Sequence, residues 1–167
     1  NKKMKRIALL TISLLLLIYV NACTGYKPIY SASNFKFKIV DHSIKGNSKL
    51  GNKIYSKLYN VSKLSNNDSN LRNIRISINA SKEKVATAKN SAGKILEYRV
   101  RIKTEIIIND LINNQEILNQ SFDYSSSYKV QDQYSETIKL ENKIIENLVN
   151  KTYQDSLISI SESTSKK

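Results

Sequence analysis

The chain has 167 residues, one cysteine, one histidine and no tryptophan, and carries a formal charge of +13 from 27 Lys+Arg against 14 Asp+Glu. That length suits one domain and leaves no room for two of full size. A single cysteine excludes an internal disulfide framework, and one cysteine with one histidine excludes most protein metal sites and thiol–histidine catalysis.

The N-terminus opens with Lys2, Lys3, Lys5 and Arg6 and continues as an apolar stretch from Ile7 to Val20, interrupted only by Thr11 and Ser13. As a helix this stretch spans about 21 Å. That is short of a hydrocarbon core of roughly 30 Å and has the length of a signal-peptide h-region. Val20-Asn21-Ala22-Cys23 then resembles the bacterial lipobox, in which the cysteine bears a thioether-linked diacylglycerol and becomes the new N-terminus. Val20 stands where the lipobox usually has leucine. The expected organisation is a lipoprotein signal peptide over 1–22, a lipidated tether over 23–34, a single α/β domain over 35–161 and a polar tail over 162–167. The alternative is a short uncleaved anchor with an incidental cysteine. Thr24 replaces the aspartate that signals inner-membrane retention in similar lipoproteins, which points to the outer membrane, on its periplasmic side. No cofactor is expected beyond the covalent lipid on Cys23. Acylation of this kind anchors stably, since each buried methylene contributes about 0.8 kcal/mol.

Charge is uneven. Residues 23–103 carry 17 cations and 4 anions, whereas 104–167 carry 6 and 10. Basic balance often means nucleic acid, but an exported lipoprotein meets none. The anions at hand would be phosphates of lipid headgroups and of lipopolysaccharide. The plainer alternative is charge for solubility.

The elements follow in order. Residues 24–34, with Gly25, Pro28, Ser31, Ser33 and Asn34, read as a tether. Phe35-Lys36-Phe37-Lys38-Ile39 alternates with period two and predicts a strand. Asp41 to Asn47 reads as a turn, and Ser48 as the cap of a helix whose apolar side is Leu50, Ile54, Leu58 and Val61. A polar loop, Ser65 to Asn70, should end it. Ile74, Ile76, Ile78 and Ala80 predict a second strand. Lys82 to Lys94 is polar, with Ala92-Gly93 as a hairpin end. Leu96 to Ile108 is the longest period-two run, Asn113-Asn114 suits a hairpin turn, and Leu118, Phe122, Tyr124, Tyr128 and Val130 return as a strand. From Asp132, a possible cap, the period becomes helical. Tyr134, Ile138, Ile145, Leu148 and Val149 share a side widened by Leu140 and Ile144, and Glu141 intrudes on it. The helix is expected through Leu157 and Ile160, with a frayed tail from Ser161. The fold class is therefore α+β, a two-layer sandwich with two helices packed on one face of a roughly four-stranded mixed sheet, in the order β-α-β-β-β-α.

No glycine-rich phosphate loop, GxSxG or HExxH occurs. His42, beside Asp41, reads as a surface loop residue. The uncovered sheet face should display Lys36, Lys38, Arg75, Arg99, Arg101 and Lys103, with Lys82, Lys84, Lys89 and Lys94 along the adjoining hairpin. Side chains two apart on a strand stand about 6.6 Å apart, a pitch at which arginines can hold phosphates bidentately. The alternative is a solvated face that discourages edge pairing. Ten tyrosines suit an interface, or core positions with the hydroxyl at the edge, as for Tyr98, Tyr124 and Tyr128.

Cys23-Thr24-Gly25-Tyr26-Lys27-Pro28-Ile29-Tyr30 is similar to the lipidated start of the LPS-assembly lipoproteins, the LptE family, with Thr24 inserted before the glycine. Glu97-Tyr98-Arg99-Val100, Ile106-Ile107-Ile108-Asn109-Asp110 and Phe122-Asp123-Tyr124 look like that family's central hairpin, and the helix from Asp132 fits its closing helix. The resemblance implies helices on a four-stranded sheet and an outer-membrane plug inside a large LptD-like β-barrel translocon. Such a protein assists barrel assembly and lipopolysaccharide insertion by binding, without catalysis. It further implies a lipopolysaccharide site whose nearest counterparts here are Lys82, Lys84, Lys89, Lys94 and Arg99; Arg101 and Lys103 of the uncovered face complete the candidate anion site. A competing reading is the auxiliary lipoprotein of an ABC-type lipid transport system. An envelope hydrolase would need a nucleophile or acid–base set that these residues do not suggest.

Overall fold

The computed structural model describes residues 37–64 and 71–165. The expected signal peptide, Cys23, the expected tether, Phe35, Lys36 and the expected loop 65–70 lie outside them. The elements are β1 (Phe37–Gly46), α1 (Ser48–Leu64), β2 (Arg72–Lys89), β3 (Ile95–Asp110), β4 (Glu116–Lys129) and α2 (Tyr134–Ser165). One sheet has the order β1-β2-β3-β4, with β1 parallel to β2 and the other neighbours antiparallel. The expected β-α-β-β-β-α sandwich is the observed one.

Alternation builds the core. Ile74, Ile76, Ile78 and Ala80 of β2 and Val100, Ile102, Ile106 and Ile108 of β3 are all buried. They face Leu50, Ile54 and Leu58 of α1 and Leu148, Val149, Leu157 and Ile160 of α2. Burial of each such side chain contributes about 1.5–3 kcal/mol. The opposite face stays polar, as one-sided coverage of an antiparallel sheet requires.

β1 does not end at Ile39. A bulge shifts its register between Ile39 and Asp41. Phe37 and Ile39 point into the core, and after the bulge His42 and Ile44 take the helix side while Asp41 and Ser43 take the open one. The phase change erased the period-two signal, so the segment 41–47 is strand through Gly46 rather than a turn. His42 is accordingly a strand residue, stacked on Tyr55 of α1 with ring centroids 4.0 Å apart.

Gly46, at φ +73°, turns the chain off the sheet. Asn47, and not Ser48, caps α1. Its Oδ1 accepts from the Leu50 N–H at 3.1 Å, and its own N–H donates to the Ala80 carbonyl at 2.6 Å. β2 outruns its expected end and continues to Lys89. Past Ala80 both its faces are exposed, so no apolar alternation marked it. Asn90 closes the hairpin by accepting from Ala92 and Lys94 N–H, with Gly93 at φ +81°. Asn114, at φ +51°, makes the second hairpin turn, as expected.

Asp132 does not cap α2. The Thr137 N–H donates to the Gln133 carbonyl, so Gln133 holds that place. Tyr134 is not on the buried side but 80% exposed. Thr137 is the first buried residue of the helix. The helix also runs past Ile160 to Ser165. Ser159, Ser163 and Thr164 each donate to the carbonyl four residues earlier, which satisfies their hydroxyls along the helix. Among the described residues no helix is long and apolar enough to cross a membrane.

Candidate functional site

The seven cations singled out from the sequence fall on different surfaces. Continuing the alternation of β2 past Ala80 puts Lys82 and Lys84 on the helix side. On β3, burial of Val100 and Ile102 puts Arg99, Arg101 and Lys103 on the open side. Lys89 is exposed at the last pair of the hairpin, opposite Ile95, and Lys94 sits in its turn.

On the helix side, Glu141 of α2 is only 8% exposed. Its Oε2 accepts from Lys84 Nζ at 2.6 Å and from the Tyr128 hydroxyl at 2.7 Å. Lys82 Nζ lies 3.9 Å from Oε1. Lys84 also sits 4.3 Å from the centroid of the Tyr98 ring, a cation–π contact. Burial alone would raise the Glu141 carboxyl, but the bonds from Lys84 and Tyr128 outweigh it and hold the group below the usual carboxylate range. Burial would likewise lower Lys84, and its bond to Glu141 raises it instead. The intrusion of Glu141 into an apolar stripe was the signal for this cluster. The sequence reading assigned Lys84 to a free cationic row, whereas its charge is compensated internally.

On the open side, Arg101 grips Asp123 with two bonds, Nε–Oδ1 at 2.7 Å and Nη2–Oδ2 at 2.5 Å. That bonding holds the Asp123 carboxyl low. Arg75 donates to Asp41 at 2.6 Å. Among the described residues Arg99 reaches only the Ser127 hydroxyl, at 3.4 Å. A shallow depression of about 600 Å³ lies among Glu83, Val85, Arg99, Arg101, Asp123 and Ser125. The face is thus of mixed sign, with Arg99 and Lys103 its least engaged cations near the hairpin.

A second depression, of about 310 Å³, lies where the hairpin meets the start of α2 and combines Lys84 and Lys94 with Ile95, Tyr98, Val130 and Tyr134. A third, of about 320 Å³, lies at the foot of α1, where Lys49, Lys53 and Lys82 surround Leu50 and Ile145. Lys49 and Lys53 were not singled out from the sequence, because they lie off the apolar side formed by Leu50, Ile54, Leu58 and Val61. Of these, Lys53 is paired with Glu146 at 2.8 Å.

Of the three tyrosines expected in the core, Tyr128 is buried, with its hydroxyl on Glu141, and Tyr98 and Tyr124 are partly buried against the core. Tyr124 donates to Asp155 at 2.5 Å. Burial first, and this bond second, push the Tyr124 phenol from the usual 10.0 up to about 12. The folded state therefore prefers the protonated phenol. Its contribution is present below pH 10.0 and is lost as pH rises towards 12. Urea denaturation across the alkaline range should show stability falling in that window, and Tyr124→Phe should flatten the fall. An unchanged slope in the variant would refute the assignment.

No protein-family model and no curated protein matches this chain. Solved structures share its fold. An uncharacterised lipoprotein B from Nitrosomonas europaea matches with a TM-score of 0.59 at 19% identity, over 85% of this chain and 94% of that one. A minor lipoprotein from Acinetobacter baumannii matches with a TM-score of 0.53 at 13% identity, over 78% and 95%. The rare lipoprotein B from Shewanella oneidensis matches with a TM-score of 0.51 at 13% identity, over 75% and 98%.

Proposed function

We propose that the chain is a lipid-anchored protein of the outer membrane, attached through Cys23 on the periplasmic side. In this reading it serves as plug and assembly partner of an LptD-like lipopolysaccharide translocon barrel. It acts by binding and makes or breaks no bond. The observation that carries the reading is a combination: a lipobox-like Val20-Asn21-Ala22-Cys23 precedes a sandwich of the fold found in proteins named as lipoproteins. A packed core beneath a polar exterior also suits a barrel lumen, which is itself polar.

The test is mild detergent extraction of membranes and affinity isolation of the tagged chain. A large barrel protein in stoichiometric amount is the expected result. Recovery with inner-membrane transport subunits would replace the reading with the auxiliary lipoprotein of an ABC-type lipid transporter.

Lipopolysaccharide binding is proposed for the cations near the hairpin, and the geometry ranks them. Lys94→Glu and Arg99→Glu should each weaken binding about tenfold, the loss of one charge-assisted bond. Arg101→Gln combined with Asp123→Asn should weaken it less, because these two charges already cancel each other. Equal effects at Arg99 and at the Arg101–Asp123 pair would contradict the ranking.

A further inference from the structure

β1 covers only half of β2. Their last pair is Gly46 with Ala80, yet β2 continues to Lys89. At about 3.3 Å per residue the uncovered edge is about 30 Å long. Its polarity can be followed residue by residue. The Ala80 carbonyl accepts from the Asn47 N–H, so the main chain of Ala80 faces the side of β1. With a period of two, Lys82, Lys84 and Ala86 turn their N–H and C=O groups the same way, and Ser81, Glu83 and Val85 turn theirs to β3. Gly46 leads the chain away into α1 just where those groups begin. Among the described residues no strand lies beside them.

We propose that the edge of β2 from Lys82 to Ala86 accepts an extended acidic segment of a partner protein as an added strand. This inference does not rest on the barrel reading.

Proteins ordinarily guard such edges with lysines and bulges. Here Lys82 stands at the edge, and the other guards lie elsewhere. The register shifts lie between Ala86 and Lys89, at the far end. Lys84 folds back to Glu141 and over the Tyr98 ring instead of standing at the edge. The groups from Lys82 to Ala86 keep a regular register and have no neighbouring strand among the described residues, as strand addition needs.

Charge selects the occupant. The foot of the edge opens on the cavity of about 320 Å³ that holds Lys49, Lys53 and Lys82. Glu146 compensates Lys53, and Glu141 is bonded to Lys84 while lying 3.9 Å from Lys82. Lys82 thus has only a shared carboxylate, and Lys49 has none among the described residues. Alternate side chains of an added strand would point to this helix side, about 6.6 Å apart, and acidic ones would meet Lys82 and Lys49. A second copy of this chain fits poorly. Its own β2 edge would bring Lys82 and Lys84 against their counterparts.

The test uses the full chain in nonionic detergent and two synthetic nonapeptides, one alternating Thr with Glu and the other Thr with Lys. Amide hydrogen exchange is followed by NMR. The Thr–Glu peptide should slow exchange at Lys82, Lys84 and Ala86, saturably and by about tenfold or more, and the Thr–Lys peptide should not. Ala86→Pro removes one outward donor at an edge where proline is tolerated and should abolish the effect. Lys82→Glu should weaken it. Absence of slowing, equal slowing by both peptides, or slowing that depends on protein concentration without peptide would each overturn the proposal. The two-peptide comparison on the unaltered chain decides even where Ala86→Pro fails to fold.

Discussion

Gly46→Ala should destabilise the fold by about 2–5 kcal/mol, as the sum of two costs. The first is conformational. Gly46 sits at φ +73°, where a side chain meets its own carbonyl and loses about 1–2 kcal/mol. The second is steric. A Cβ there would run into the Ala80 carbonyl oxygen, a backbone atom that cannot rotate away. That oxygen also accepts the Asn47 N–H, so any retreat loosens the bond that joins the end of β1 to the start of α1. Gly93→Ala is the internal control. It has φ +81° but open space around the added atom, so only the conformational cost of about 1–2 kcal/mol applies. Urea denaturation of both variants checks the argument. If the two lose the same stability, the Ala80 contact has no weight.

That junction also shows where the sequence was readable and where it was not. The strands whose alternation faces a helix were plain, because Ile74 to Ala80 and Val100 to Ile108 repeat with one unbroken phase. β1 was half visible. One bulged residue, Val40, moved its inward set from odd to even positions, and no local signal announces such a shift. The outer half of β2 was invisible for a different reason. Its helix-side residues Lys82 and Lys84 meet the carboxylate of Glu141, so neither face shows apolar alternation, and Lys82 to Lys89 looks like loop. The two caps each missed by one residue. Asparagine and serine are near-equals at such a position, and the bond from the Leu50 N–H to Asn47 Oδ1 shows which of them caps α1. The candidate site suffered most. Cation count was legible, but pairing depends on register across strands. Asp123 reaches Arg101, and Glu141 reaches Lys84 from a helix 57 residues away.

Glu141→Ala should cost about 1.5–3 kcal/mol at neutral pH, the range for losing hydrogen bonds to a buried charged group. The upper range for breaking a fully buried pair is not reached, because about a third of the Lys84 side chain remains exposed and water can recover part of its charge. Removal strands two donors at once, Lys84 Nζ and the Tyr128 hydroxyl. Glu141→Gln is the sharper probe. It keeps the volume and an acceptor for Tyr128 but loses the charge that holds Lys84, so its cost should fall between zero and that of alanine. The pH dependence separates charge from packing. The Glu141 carboxyl is held below its ordinary 4.5, so its contribution is fully present above that value. It disappears as pH falls through the lower folded value. The stability gap between the parent chain and Glu141→Gln should therefore close on acidification, measured by urea denaturation at successive pH values. The gap for Glu141→Ala should shrink but persist, because the cavity left by the side chain does not titrate. A Gln gap that stays constant to strongly acid pH would mean that the lysine contributes nothing through its charge. In that case the Lys84 ammonium would be free to serve the hairpin depression it borders with Lys94.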